Sequence, residues 1–230
     1  MTLTIAHRGE PVGNVENTLE ALEAAVAAGA DMLEIDVRLT ADGVPVLLHD
    51  ADLTRIWGEP RRLSELASTE LARLRPVGGS RIPTLADAAD LAQSAGVQLM
   101  VDLPEPAAGP VAAELLIRLG CADLALYAGF TAPVRARSST ARIALTWDSL
   151  ELPGQQLLDS LRPEFFNPYF QLLTASVADR MHERGMLVSV WTVDHPRDMA
   201  AVIIQGADAV TTNHIEDLVS LVGTRAPVAR

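Results

Sequence analysis

Gly29-Ala30-Asp31-Met32-Leu33-Glu34-Ile35-Asp36-Val37 is the stretch from which the fold of this chain is read. Gly29 follows the alanine-rich amphipathic run Glu16–Ala28, and glycine accepts the left-handed conformation that closes a helix. From Met32 to Val37 the residues are apolar except Glu34 and Asp36. A near-continuous apolar strand belongs to a sheet covered on both faces, the pattern of parallel strands joined by helices. The same helix–glycine–strand signal returns at Gln205-Gly206-Ala207-Asp208. Working outward, strands are expected at Leu3–His7, Met32–Val37, Val44–His49, Val97–Leu103, Leu124–Gly129, Ile143–Trp147, Glu164–Asn167, Leu187–Val193 and Ala209–Thr212. Helices are expected between most of them. Such alternation gives a parallel α/β fold, and a closed eight-stranded barrel and an open doubly wound sheet both fit. Nine strand candidates compete for eight barrel places. Glu164–Asn167 is the weakest and reads as an extended loop. The turn Thr40-Ala41-Asp42-Gly43 is too short for a crossover helix, so the barrel position between Val37 and Val44 is expected to lack one. Residues 57–83, rich in Gly, Pro and Arg, read as an elaborated loop inside a single domain covering 1–230.

The length of 230 residues suffices for one buried core. Acidic residues number 30 against 18 basic, for a net charge of -12, and every basic residue is arginine. That balance repels a polyphosphate backbone and offers no basic face to an anionic membrane, so a nucleic-acid partner is not expected. A basic pocket for a small anionic substrate remains compatible with it. Cys121, the single cysteine, reads as a buried structural thiol. No leader-like segment and no apolar run of membrane-spanning length is visible, so a cytoplasmic protein without an integral membrane segment is expected.

Chemistry concentrates at strand ends. His7 and His49 each close an apolar run and each precedes a charged residue, Arg8 and Asp50. In parallel α/β folds the carboxyl ends of the strands are where ligands bind. Glu34 and Asp36 are two apart in one strand and therefore share a face. Two buried carboxylates repel unless a cation or an arginine stands between them, and oxygen ligands suit a hard ion such as Mg²⁺ or Ca²⁺. Paired arginines are the alternative. Asp102 ends a third apolar run, with Glu105 just beyond Pro104 as another possible carboxylate. A divalent metal with two imidazoles suits hydrolysis of a phosphate ester. Trp191, near a strand end, fits the wall of such a site and the core equally well. Asn17 or Thr18 reads as a helix cap, and His195-Pro196 as a helix start.

His7-Arg8-Gly9, Glu16-Asn17-Thr18, the Gly29–Val37 stretch, Leu39-Thr40-Ala41-Asp42-Gly43 and Pro45-Val46-Leu47-Leu48-His49-Asp50 together resemble the glycerophosphodiester phosphodiesterases. Ile82-Pro83-Thr84-Leu85 and Val190-Trp191-Thr192-Val193-Asp194 extend the resemblance over nearly the whole chain. It implies a compact (β/α)8 barrel that cuts small-molecule glycerophosphodiesters to glycerol 3-phosphate and an alcohol with a divalent metal, Mg²⁺ or Ca²⁺. By that resemblance His7 and His49 are the acid–base pair, Glu34 and Asp36 bind the metal with Asp102, and Arg8 holds a phosphate oxygen. Two departures stand out. The family's Glu-x-Lys is Asp102-Leu103-Pro104 here, and the Thr-Asp after the last strand is Thr212-Asn213. The lost lysine and shorter carboxylate leave a second reading open, a degenerate barrel that binds a phosphodiester or metabolite without efficient turnover.

Overall fold

The computed structural model describes residues 2–74 and 79–223. In chain order the elements are β1 (Leu3–His7), α1 (Leu19–Ala28), β2 (Met32–Leu39), β3 (Pro45–Leu47), β4 (Asp52–Leu53), α2 (Thr54–Trp57), β5 (Glu59–Arg62), α3 (Ser68–Leu71) and α4 (Leu85–Ala95). There follow β6 (Gln98–Leu103), α5 (Ala108–Arg118), β7 (Ala125–Gly129), α6 (Ala132–Arg137), β8 (Arg142–Trp147), α7 (Gln155–Leu161) and β9 (Phe165–Pro168). The chain continues through α8 (Ala175–His182), β10 (Leu187–Val190), α9 (Pro196–Ile204), β11 (Ala209–Thr212) and α10 (Ile215–Val222).

Strand order in the main sheet is β1-β11-β10-β9-β8-β7-β6-β2-β3, and β1 also pairs with β2. Eight parallel strands therefore close on themselves, and β3 is an appendage pairing antiparallel with β2. The barrel is the (β/α)8 architecture, and the open sheet is excluded by the β1–β2 closure. Two expectations are corrected. Glu164–Asn167 is no loop: β9 pairs in parallel with both β8 and β10 and fills a barrel place. Val44–His49 is the surplus candidate. A turn of four residues cannot carry a chain back across a barrel, so β3 doubles back along β2, with Val37 opposite Leu47. No barrel position lacks its helix there, because α4 supplies the crossover from β2 to β6.

Outward faces of β1, β2, β6 and β7 pack with α1, α4 and α5 in one apolar core that includes Leu22, Ile35, Ala89, Val101 and Leu116. The β8–β11 side forms a second with α7–α10, around Phe166, Met181, Val190 and Leu218. Cys121 is buried in the first, a thiol in a structural place. The 57–83 segment holds more than loop. β5 pairs with β4, and Trp57, Leu63, Leu66 and Leu71 pack with Val46, Leu48 and Leu53 as a small satellite cluster under it; its residues 75–78 lie outside the described residues. None of the described helices is long and apolar enough to cross a membrane.

Candidate active site

Parallel register brings the strand-end residues together before any side chain is considered. His7 lies opposite Glu34, Glu34 opposite Met100, and Asp36 opposite Asp102. Strand periodicity then turns one set inward. Ile5, Met32, Met100, Leu126, Ala144, Phe165 and Ala209 make an apolar plug in the barrel. The next inward positions toward the carboxyl ends line a cavity of about 160 Å³. His7, Arg8, Glu34, Asp36, His49, Asp102 and Trp191 all border it, so every site residue expected from the sequence meets there.

His49 reaches that cavity by a route the sequence did not disclose. It follows the antiparallel β3, not a barrel strand, and the Leu48 N–H donating to the Asp36 carbonyl at 3.0 Å pins it beside the mouth. His49 Nδ1 lies 2.7 Å from Asp50 Oδ1, which orients the ring. Asp50 is held in turn: burial raises its pKa, but hydrogen bonds from Arg55 and His49 outweigh that and leave it lowered. Arg55 Nε donates to Asp50 Oδ2 at 2.6 Å, and its terminal nitrogens to Glu16 at 2.7 and 2.9 Å. Glu16 also accepts from Arg8 at 2.9 Å. A continuous charged chain thus runs around the rim from Arg8 to His49. The sequence pointed to Glu16 only as part of a capping segment; its partners are 39 residues apart from it in Arg55 and close only in space.

His7 is set differently. Its Nδ1 donates to Asn213 Oδ1 at 2.8 Å, and Asn213 is fixed by its own Nδ2 and backbone N–H donating to Asp194, each at 2.8 Å. That leaves Nε2 with a free lone pair, 4.0 Å from Glu34 Oε2. Burial, then the Arg8 charge, lower the His7 pKa against the opposing pull of Asn213. His7 is thus a neutral base near pH 7. Asn213, a departure from the family pattern, is the residue that selects its tautomer.

Arg8 adopts a left-handed backbone, φ 59°, at the end of β1. This turns its N–H onto Glu34 Oε2 at 2.8 Å. Its Nε lies 3.1 Å from Asp36 Oδ2 but at an angle that makes an ion pair rather than a hydrogen bond. Gly9 follows with φ 83°, and a Cβ there would fall 2.6 Å from the Ala21 backbone, so only glycine lets the turn pack on α1. Thr18 is the cap of α1, whereas Asn17 leaves the helix with φ 57° to donate to Asp36 Oδ2 at 2.7 Å. α1 accordingly starts at Leu19 rather than Glu16.

Three carboxylates share the cavity with one arginine. Burial, then repulsion from Asp36 and Asp102, push the Glu34 carboxyl well above the usual range. Burial, then Asp36, push Asp102 up to about 6. The Asp102 carboxylate accepts no hydrogen bond among the described residues, unlike Glu34 and Asp36, whose Oε2 and Oδ2 face protein donors. Among the described residues no group of three or more His, Cys, Asp or Glu side chains stands as a ready cage for a metal. The donor set nevertheless suits one. Hard oxygens, excess negative charge and an unpartnered carboxylate are what a Mg²⁺- or Ca²⁺-sized dication would relieve.

The remaining candidates separate cleanly. Trp191 borders the cavity, with its N–H on the Asn167 carbonyl at 3.0 Å. Glu105 lies outside it, bound to Arg38. Arg38 is also tied to the His49 carbonyl. Neither Arg38 nor Arg55 borders the cavity, so neither replaces the lysine that Pro104 displaces. His182 pairs with Asp208 away from the site, and His195 caps α9.

A model of the Glycerophosphoryl diester phosphodiesterase family matches residues 7–217. A glycerophosphodiester phosphodiesterase of Caldanaerobacter subterraneus subsp. tengcongensis is 27% identical over 242 aligned positions, covering 96% of this chain and 98% of that protein. A human glycerophosphoinositol inositolphosphodiesterase is 26% identical over 91% of this chain, which spans 45% of that longer protein. Among solved structures, an Oleispira antarctica phosphodiesterase in complex with sn-glycerol-3-phosphate superposes with a TM-score of 0.89 at 23% identity, covering 96% of this chain and 97% of that one.

Proposed function

The chain belongs to the glycerophosphoryl diester phosphodiesterase family, and from that premise we propose that it hydrolyses glycerophosphodiesters to glycerol 3-phosphate and an alcohol as a single-domain enzyme. The observation that carries this reading is one cavity bordered by two imidazoles, an arginine and three carboxylates. The two rings are suited to opposite tasks. His7, neutral and with Nε2 free, takes the proton from the nucleophile. His49, its Nδ1 on the Asp50 carboxylate, gives a proton to the departing alkoxide from Nε2, and Asp50 stabilises the charged ring. Arg8 orients a non-bridging phosphate oxygen and offsets its charge.

Glu34, Asp36 and Asp102 would hold the divalent cation, Mg²⁺ or Ca²⁺, which when bound neutralises phosphate charge and lowers the barrier to attack. The nucleophile is water or the substrate's own neighbouring hydroxyl, the latter passing through a cyclic phosphate. Because Pro104 offers no donor where the family carries lysine, turnover is expected to be real but weak.

The test is release of glycerol 3-phosphate from glycerophosphocholine by purified protein, with Mg²⁺, Ca²⁺ and other divalent ions in turn and with a chelator. Product analysis for a cyclic phosphate separates the two nucleophiles. Binding without turnover under every ion would favour the degenerate, ligand-binding barrel instead.

A further inference from the structure

The cavity is divided by charge. The half built from β1, β2 and β6 carries His7, Arg8, Glu34, Asp36 and Asp102, with His49 beside it. The half built from β8 to β11 is neutral, contributing Thr146, Asn167, Trp191, Thr192 and Thr211. Two of these neutral side chains are unusual. Asn167 is 3% and Thr211 2% exposed, yet Asn167 Oδ1 and Thr211 Oγ1 have no hydrogen-bond partner. Buried polar atoms are seldom left so, because each has given up water with nothing in exchange. The acid–base arrangement does not use them, since His7 and His49 are held by Asn213 and Asp50. On the strand order, β10 separates β9 from β11, and Trp191 follows β10. Its N–H is committed to the Asn167 carbonyl and its ring braced edge-on by Tyr169, with centroids 5.7 Å apart. Thr146 Oγ1 accepts the Gly129 N–H at 3.0 Å, which leaves its hydroxyl proton to donate. A fixed apolar ring between unpaired hydroxyl and amide groups matches a ligand with carbons on one side and hydroxyls on the other.

We propose that this neutral half is a polyol subsite for the glycerol arm of the substrate. Asn167 and Thr211 hydrogen-bond its hydroxyls, Trp191 covers its carbons, and these contacts select hydroxyl-bearing phosphodiesters. The inference rests on the phosphodiesterase reading and deepens it. A site built to pair hydroxyls rejects an analogue lacking them, because its own buried groups are then left unpaired.

The experiment compares glycerophosphocholine with n-propyl phosphocholine, which has the same charge and carbon count but no glycerol hydroxyls. Wild type should favour the glycerol diester at least tenfold in kcat/KM. Thr211→Val and Asn167→Leu should each shrink that preference about ten- to a hundredfold, or to parity. Thr211→Val should melt no lower than wild type, since the hydroxyl it removes has no partner. Equal losses on both diesters, or an undiminished preference, would overturn the subsite. If wild type cleaves neither diester, the phosphodiesterase reading fails by itself. The subsite is then judged by calorimetric binding of glycerol 3-phosphate against n-propyl phosphate. It stands if wild type prefers the former tenfold and Thr211→Val does not, and falls otherwise.

Discussion

Asp102→Asn should make the metal-free protein more stable and less active. The Asp102 carboxyl is pushed up to about 6 from an ordinary 3.8, by burial and by Asp36. Its folded pKa thus lies above its unfolded one. Between about pH 4 and pH 6 the folded state binds more protons than the unfolded state, so stability falls as pH rises through that window. Below it the penalty is absent, and above it the penalty is complete. A shift of about two units, at roughly 1.4 kcal/mol each, sets a ceiling of about 3 kcal/mol at pH 7. For a chain of this size that is up to roughly 6–12 °C in melting temperature. Asparagine keeps the shape and removes the charge, so the variant should gain this amount at pH 7 and nothing at pH 4. The assay is thermal unfolding of chelator-treated wild type and variant from pH 4 to pH 8. Added Mg²⁺ or Ca²⁺ should raise the melting temperature of wild type and barely move the variant, because a ligand that binds the native state stabilises it. A variant that melts at or below wild type at pH 7, without metal, would refute the argument that Asp102 is an unpartnered charge held for a ligand.

His7→Ala and His49→Ala should each lower kcat by roughly 10²–10⁴, the range for general acid–base groups, while His182→Ala, whose ring sits on Asp208 outside the cavity, should be near neutral; equal effects of all three in steady-state kinetics would contradict the site. The acidic limb of the kcat/KM profile should fall below pH 6.5, because burial and Arg8 lower the His7 pKa and the base form persists above it; a limb above 6.5 would show that His7 is not the base. Gly129→Ala should perturb the site, since a Cβ there meets the Leu103 carbonyl at 2.5 Å and Asp102 Oδ1 at 2.9 Å, and is checked by loss of both melting temperature and activity. Pro104→Lys should raise rate or phosphate affinity by roughly one to two powers of ten, the worth of one charge-assisted contact at about 1.5–3 kcal/mol, measured as kcat/KM on glycerophosphocholine. An unchanged value would mean Arg8 already supplies the whole cationic need.

His49 shows how a residue can be legible while its reason is not. It was visible as a histidine closing an apolar run, and it does border the cavity. The run, however, is antiparallel to β2 and stands outside the barrel, so the rule about carboxyl ends of parallel strands does not place it. What places it is the shortness of the turn at 40–43. β9 was missed for the opposite reason: Phe165-Phe166-Asn167-Pro168 is short, ends in proline and carries a polar residue, and its membership depends on pairing with β8 and β10. Asp50, Arg55, Glu16, Asn213 and Asp194 carried no periodic signal, because surface-like polar residues are ordinary in loops.

Some things follow from the sequence by itself. Strand and helix periodicities, the glycines that close helices, and the two-residue spacing of Glu34 and Asp36 depend on local sterics and on which side chains leave water. They determine a parallel α/β chain with its inward carboxylates and strand-end histidines. Other things exist only once the barrel closes. The tautomer of His7 is set by a bond to Asn213 across 206 residues, and the raised pKa of Asp102 comes from burial and from a charge on the neighbouring strand. The unpaired Asn167 and Thr211 are unusual only because they are buried. Hydrogen bonding, desolvation and Coulomb energy are functions of distance in space. Closure of the β1–β2 seam fixes those distances, and no pattern along the chain contains them.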